Sequence, residues 1–211
     1  NGGSSFEASQ KIAGGASGKP VLFLSAAMTT SGAVRAAFTV ADADGGVGLQ
    51  FVRRAYSSGY QAWSAAADVI PAGNAARGVA APVVAVRPAS DTKVAIAYLG
   101  ADQSLPYVSV STDGGATFAA PQRVGPTTFY AAPSAPDAVL DNDGTIYVAY
   151  SRATGSTSGT TVKLAKEGSF ATESDLGSYL TATGGAGRPD LAVAVDGSSV
   201  SHILVGEEDL P

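Results

Sequence analysis

The stretch Ser111-Thr112-Asp113-Gly114-Gly115-Ala116-Thr117-Phe118 decides how this chain is read. Ser111 and Asp113 have short polar side chains that can satisfy backbone groups within a tight loop. Gly115 admits a positive φ without steric cost. Phe118 is an apolar anchor at the exit, expected to tuck into the sheet and start the next strand. The stretch is thus a self-contained turn between two strands, Tyr107–Ser111 before it and one near Pro121–Val124 after it.

Working outward, degenerate copies of this turn recur. Asn1 to Ile12 aligns with Asp113 to Val124, so the chain is expected to start inside such a turn, with residues 1–13 supplying the outer strand of a preceding or closing unit. Tyr56 to Trp63 is a second copy that lacks the Asp, with Trp63 as its anchor ring. Glu167-Gly168-Ser169-Phe170 keeps only the glycine and the aromatic. Four prolines, Pro20, Pro82, Pro136 and Pro189, mark a longer period, at spacings of 62, 54 and 53 residues. Each opens an apolar strand, a place where a missing N–H costs no ladder bond. Second strands are expected at Val34–Val40, Val94–Leu99, Ile146–Ser151 and Val200–Val205. Third strands follow at Leu49–Arg54, Tyr107–Ser111 and Thr161–Ala165, and fourth strands near Ala67–Ile70, Pro121–Val124 and Gly177–Thr181. The turns between first and second strands carry Ser, Asp, Asn and Gly, as in Asp141-Asn142-Asp143-Gly144. Units of four strands in about 50 residues, here 19–72, 81–125, 135–182 and a partial 188–211, predict an all-β chain of four-stranded antiparallel blades in a β-propeller.

With its serine, aspartate, glycine, threonine and aromatic in this order, Ser111–Phe118 resembles the Asp box of the sialidase-like, or neuraminidase, superfamily. That resemblance implies a propeller with the box between the third and fourth strands of a blade. It also implies a ligand face on the opposite side, formed by fourth-to-first and second-to-third connections. On that face the expected candidates are Arg77, Phe129, Tyr130, Arg152 and Arg188, with Asp42, Asp44, Asp102 and Gln103 nearby; Asp137 and Asp190 border the axis. Sialidases use an arginine triad, a tyrosine nucleophile with a glutamate partner and an acid/base aspartate. The family's opening arginine motif is absent, and these roles do not transfer residue by residue. Ser111, Asp113, Gly115, Thr117 and Phe118 are read as structural.

Composition narrows the function further. The chain has 211 residues, 13 Lys+Arg against 18 Asp+Glu, no cysteine and one histidine, His202. A net charge of −5 without a basic stripe argues against nucleic acid as a partner. No apolar run is long enough for a membrane-spanning helix. Disulfides and thiolate metal sites are excluded, and a classical Ser-His-Asp triad is disfavoured. Asp42-Ala43-Asp44-Gly45 and the loop at Asp141 lack the full pattern of a calcium loop, so both read as turns. No metal and no cofactor is expected. The count of fifteen strands falls one short of a closed four-bladed ring. A longer parent chain, a second chain or a strand from a neighbouring subunit would complete it. The leading expectation is a secreted or cell-surface recognition or scaffold module that binds glycan or protein without catalysis. A sialidase-type glycoside hydrolase and a structural subunit of a surface or viral assembly are the alternatives.

Overall fold

The computed structural model describes residues 12, 20–41, 46–57, 59, 61–70, 79–100, 105–126, 135–153, 159–180, 190–196 and 201–206. Among them there are fourteen strands and no helix. The first sheet takes β1 (Val21–Met28), β2 (Val34–Ala41), β3 (Val47–Arg54) and β4 (Ala67–Ile70) in that order. The second takes β5 (Ala80–Val86), β6 (Val94–Leu99), β7 (Pro106–Ser111) and β8 (Gln122–Arg123). The third takes β9 (Asp137–Leu140), β10 (Ile146–Ala153), β11 (Gly159–Lys166) and β12 (Glu173–Leu180). A two-stranded sheet of β13 (Asp190–Val195) and β14 (Ser201–Gly206) ends the series. Each sheet is an antiparallel meander of one contiguous stretch, so every pairing joins strands consecutive in the chain.

The sheets stack in chain order. First strands are neighbours, β1 beside β5, β5 beside β9 and β9 beside β13. Both faces of the second sheet are therefore buried. On one side Val84, Ile96 and Tyr98 meet Ala37, Leu49 and Phe51 of the first sheet. On the other Ala85, Ala95, Ala97 and Val108 meet Leu140, Val148 and Phe170 of the third. This double burial explains why β6, Val-Ala-Ile-Ala-Tyr-Leu, is apolar throughout rather than alternating. Small residues face the following sheet and larger ones the preceding sheet, which lets the two layers interdigitate.

Polar bonds repeat from junction to junction. The Val84 amide donates to Ser25 Oγ at 3.1 Å, and the Val193 amide donates to Asp137 Oδ2 at 2.6 Å. These are the same position two junctions apart, because Met28, Val86, Leu140 and Val195 each form the last pair before a hairpin turn. At the middle junction the corresponding residue is Val83, which cannot accept. There Asp137 Oδ1 takes the adjacent Ala138 amide itself, at 2.9 Å. The hairpin turns are linked too: Thr30 donates to the Pro88 carbonyl, and Arg87 Nε to that of Asn142.

Every anticipated second and third strand is present, with ends shifted by two residues at most. The fourth strand of the third unit starts at Glu173, four residues before the expected Gly177, because Glu173, Ser174 and Asp175 pair with Ala165, Leu164 and Lys163 of β11 ahead of a bulge before Gly177. The prolines do not mark one common register. Pro82 and Pro136 stand four residues before the last hairpin pair, Pro20 eight. A bulge between Ala80 and Val83, with Ala81 at φ 48°, and another between Val21 and Leu24 absorb the irregular entry. Asp137 and Asp190 likewise differ by two positions, three and five residues ahead of Leu140 and Val195.

Candidate functional site

The Ser111–Phe118 turn closes on itself. Asp113 Oδ1 accepts the amides of Ala116 and Thr117, both at 2.9 Å, and Oδ2 accepts the Thr117 hydroxyl at 2.7 Å. Ser111 Oγ donates to Asp113 Oδ1 and accepts the Gly115 amide, each at 2.8 Å. The Thr117 amide first, then its hydroxyl and that of Ser111, hold the Asp113 carboxyl well below the usual carboxylate range. Gly115 has φ +87°, and a Cβ there would lie 2.0 Å from the Phe51 ring of the first sheet. Phe118 packs edge-on against the same ring, centroids 5.2 Å apart. The expected anchor thus packs the turn into the core shared by its own sheet and the neighbouring one. Arg53 adds hydrogen bonds to the Asp113 and Gly114 carbonyls. All five residues are consumed in the scaffold.

Two candidates for the opposite side fall within the described residues with their side chains. Asp137 is half-buried and accepts the Val193 and Ala138 amides. Burial pushes its carboxyl up, and these two hydrogen bonds do not return it to its ordinary value. Arg152, at the end of β10, donates from Nε to Glu173 Oε1 at 2.8 Å and from Nη2 to the same oxygen. Tyr150 donates its hydroxyl to Glu173, and Lys163 Nζ lies 3.5 Å from Glu173 and is also paired with Asp175. Burial opposes ionisation of Glu173, yet the hydrogen bonds of Arg152 and Tyr150, with the charges of Arg152 and Lys163, prevail and lower its pKa. Burial and then the Glu173 contact drive the Tyr150 phenol far above its ordinary value. Gly125 abuts this group: with φ +81°, its Cβ would stand 2.1 Å from Tyr150 Oη. Chemically the cluster pairs a carboxylate with two cations and a phenol. Tyr150 is 0% exposed, so the phenol is a buried donor rather than a presented nucleophile.

The sequence reading singled out Arg152 but missed Tyr150, Lys163 and Glu173. The available signal was Lys163, a charge in the middle of the largely apolar stretch Val162-Lys163-Leu164-Ala165, which called for a buried carboxylate partner. Arg77, Phe129, Tyr130 and Arg188 lie outside the described residues, as do Asp42, Asp44, Asp102 and Gln103. Asp190 pairs with Gly206 at the start of β13. The Asp141 loop is a turn: Asp141 Oδ1 accepts the Asp143 and Thr145 amides at 2.9 and 2.8 Å. Trp63 packs on Ala36, Phe38, Val40 and Val52, in contact with the Arg54 guanidinium. His202 is exposed and 3.2 Å from Asp196. Among the described residues no group of His, Cys, Asp and Glu is arranged to hold a metal, and no helix is long and apolar enough to cross a membrane. No protein-family model matches the chain, and no curated protein matches it.

Proposed function

We propose that the chain is a sialidase-like Asp-box propeller, or most of one, and acts as a secreted or cell-surface recognition module without catalysis. Its ligand is a glycan or a protein, bound by the loops on the side away from Ser111–Phe118. One observation carries this reading. Among the described residues, the ionisable candidates for that side are Asp137 and Arg152, and they spend their polar atoms on bonds within and between sheets, Arg152 with Glu173. A glycosidase needs two carboxyls placed about a bound sugar. The scaffold half of the reading is supported by stacked four-stranded meanders and by the self-bonded turn between β7 and β8.

A hydrolase of sialidase type is the second reading, favoured by the contact of Tyr150 with Glu173 beside Arg152. The burial of Tyr150 speaks against it. The two separate in one pair of assays. A glycan array should give hits that Tyr130→Ala weakens, while a fluorogenic sialoside is not turned over. Sialoside turnover that disappears in a folded Arg152→Ala variant would overturn the recognition reading.

A further inference from the structure

The three four-stranded sheets share one row of equivalent positions, filled three different ways. Hairpin register makes Phe38, Tyr98 and Tyr150 equivalent, each four residues beyond the first paired residue of its second strand, Val34, Val94 and Ile146. Across the ladder Phe38 is followed by Gln50 and Asp68, Tyr98 by Tyr107 and Arg123, and Tyr150 by Lys163 and Asp175. Directly opposed residues share one face of a sheet, so the outer two of each row are side-chain neighbours. In the first sheet they satisfy each other, Gln50 Nε2 donating to Asp68 Oδ1 at 2.9 Å. In the third they form the ion pair of Lys163 and Asp175. In the second they do not. Arg123 Nε is shielded from solvent without a hydrogen-bond partner, and no acid pairs with its guanidinium among the described residues. The Tyr107 hydroxyl likewise has no partner among them.

The surroundings hold this pair in place without neutralising it. Tyr107 packs onto Gly100, where a Cβ would stand 2.6 Å from its ring, and nearly parallel to Tyr98, with centroids 6.1 Å apart. The facing outer strand, β4, gives Val69 and Ile70 to the same core, while its acid, Asp68, is bonded to Gln50. A half-buried arginine with no carboxylate beside it carries a desolvation cost that an incoming anion offsets. We propose that Tyr107 and Arg123 form an oxyanion subsite at the junction of the first and second sheets, taking a carboxylate or sulfate group of an acidic glycan. Arg123 supplies forked donors that match either group, and the Tyr107 hydroxyl adds another. A sugar suits the place better than an acidic peptide, because the donors stand beside aromatic and aliphatic side chains that can meet the apolar face of a ring. Tyr107 opens β7 and Arg123 closes β8, so both adjoin the connections assigned to ligand binding. The subsite rests on the recognition reading above and adds the charge of its ligand.

Thermal melts and titration calorimetry of the full chain test this. The probes are inorganic sulfate, oligogalacturonate, a sulfated galactan oligosaccharide, its desulfated parent and polyglutamate. Sulfate should raise the melting temperature of wild type more than that of Arg123→Gln, a difference in which its general stabilising effect on folded chains cancels. Wild type should bind an acidic oligosaccharide and not the desulfated parent. Arg123→Gln should lower that affinity about tenfold or more, and Tyr107→Phe by a smaller factor. Tyr107→Phe removes one hydroxyl and keeps the ring, so the test stands even where Arg123→Gln folds poorly. Binding of the sulfated chain alone assigns a sulfate ester, and of oligogalacturonate alone a uronate carboxylate. Equal stabilisation of wild type and Arg123→Gln by sulfate overturns the subsite, as does acidic-glycan affinity that neither variant lowers; neutral-glycan hits beside those results leave the recognition reading in place. Polyglutamate bound in preference to both acidic glycans overturns the assignment to a glycan. If no glycan binds and the sulfate shift still requires Arg123, the recognition reading falls and the oxyanion site stands.

Discussion

Asp137 shows how one side chain can be read for chemistry and used for architecture. A carboxylate beside a proline at the mouth of a repeat invites a catalytic role, but its two oxygens each take a backbone amide, one from its own strand and one from β13. Replacing it with alanine leaves both amides without that partner, at a cost of about 1–2 kcal/mol in urea unfolding. The pH dependence has a definite sign. The folded carboxyl titrates above its ordinary value of 3.8, so between that value and the raised one the unfolded chain has released a proton that the native chain keeps. Wild type loses stability as pH climbs through this window, and Asp137→Ala does not. The stability gap between the two should therefore narrow from acid toward neutral pH.

At the scale of the element, β10, β11 and β12 are joined by more than their ladders. Glu173 on β12 gathers Tyr150 and Arg152 from β10 and Lys163 from β11. Taking away its charge leaves two cations close together in a partly dry site. Glu173→Gln should cost about 2 kcal/mol at neutral pH, less than for a fully buried pair because Arg152 keeps some solvent contact. Here the folded pKa is depressed below the ordinary 4.5. The contribution is complete above that value and lost as pH falls through the folded one. Thermal melts from pH 7 downward should show the wild type approaching the variant on the acid side. Strand positions were legible in the sequence because alternation and turn residues are local. The cluster was not: Glu173 reads as a loop residue until the sheet places it against β11.

For the whole molecule, stability resides in the junctions. A stack in which each sheet touches only its neighbours behaves as a sum of local units and interfaces. Gly115→Ala tests this, since both the left-handed φ and the Phe51 ring exclude a methyl group there. The substitution should cost about 2–3 kcal/mol through backbone strain and overpacking. Hydrogen exchange should rise first in β2, β3 and β7, which border the first junction, while β10 and β11 keep their protection. Uniform loss of protection across the three sheets would show instead that the stack unfolds as one unit.

The sequence by itself determined where the chain turns and where it extends. Ser111, Asp113 and Thr117 satisfy one another within eight residues, and apolar runs behind Pro20, Pro82 and Pro136 have few other ways to bury themselves. Only the tertiary structure decided which face of each strand meets which sheet. It turned Phe118 onto Phe51, gave Asp137 to β13 and Arg152 to Glu173, and set Trp63 over Phe38 and Val52. The reason is range: turns and pleats are fixed by neighbours in sequence, whereas the partners of a side chain between sheets lie tens of residues away.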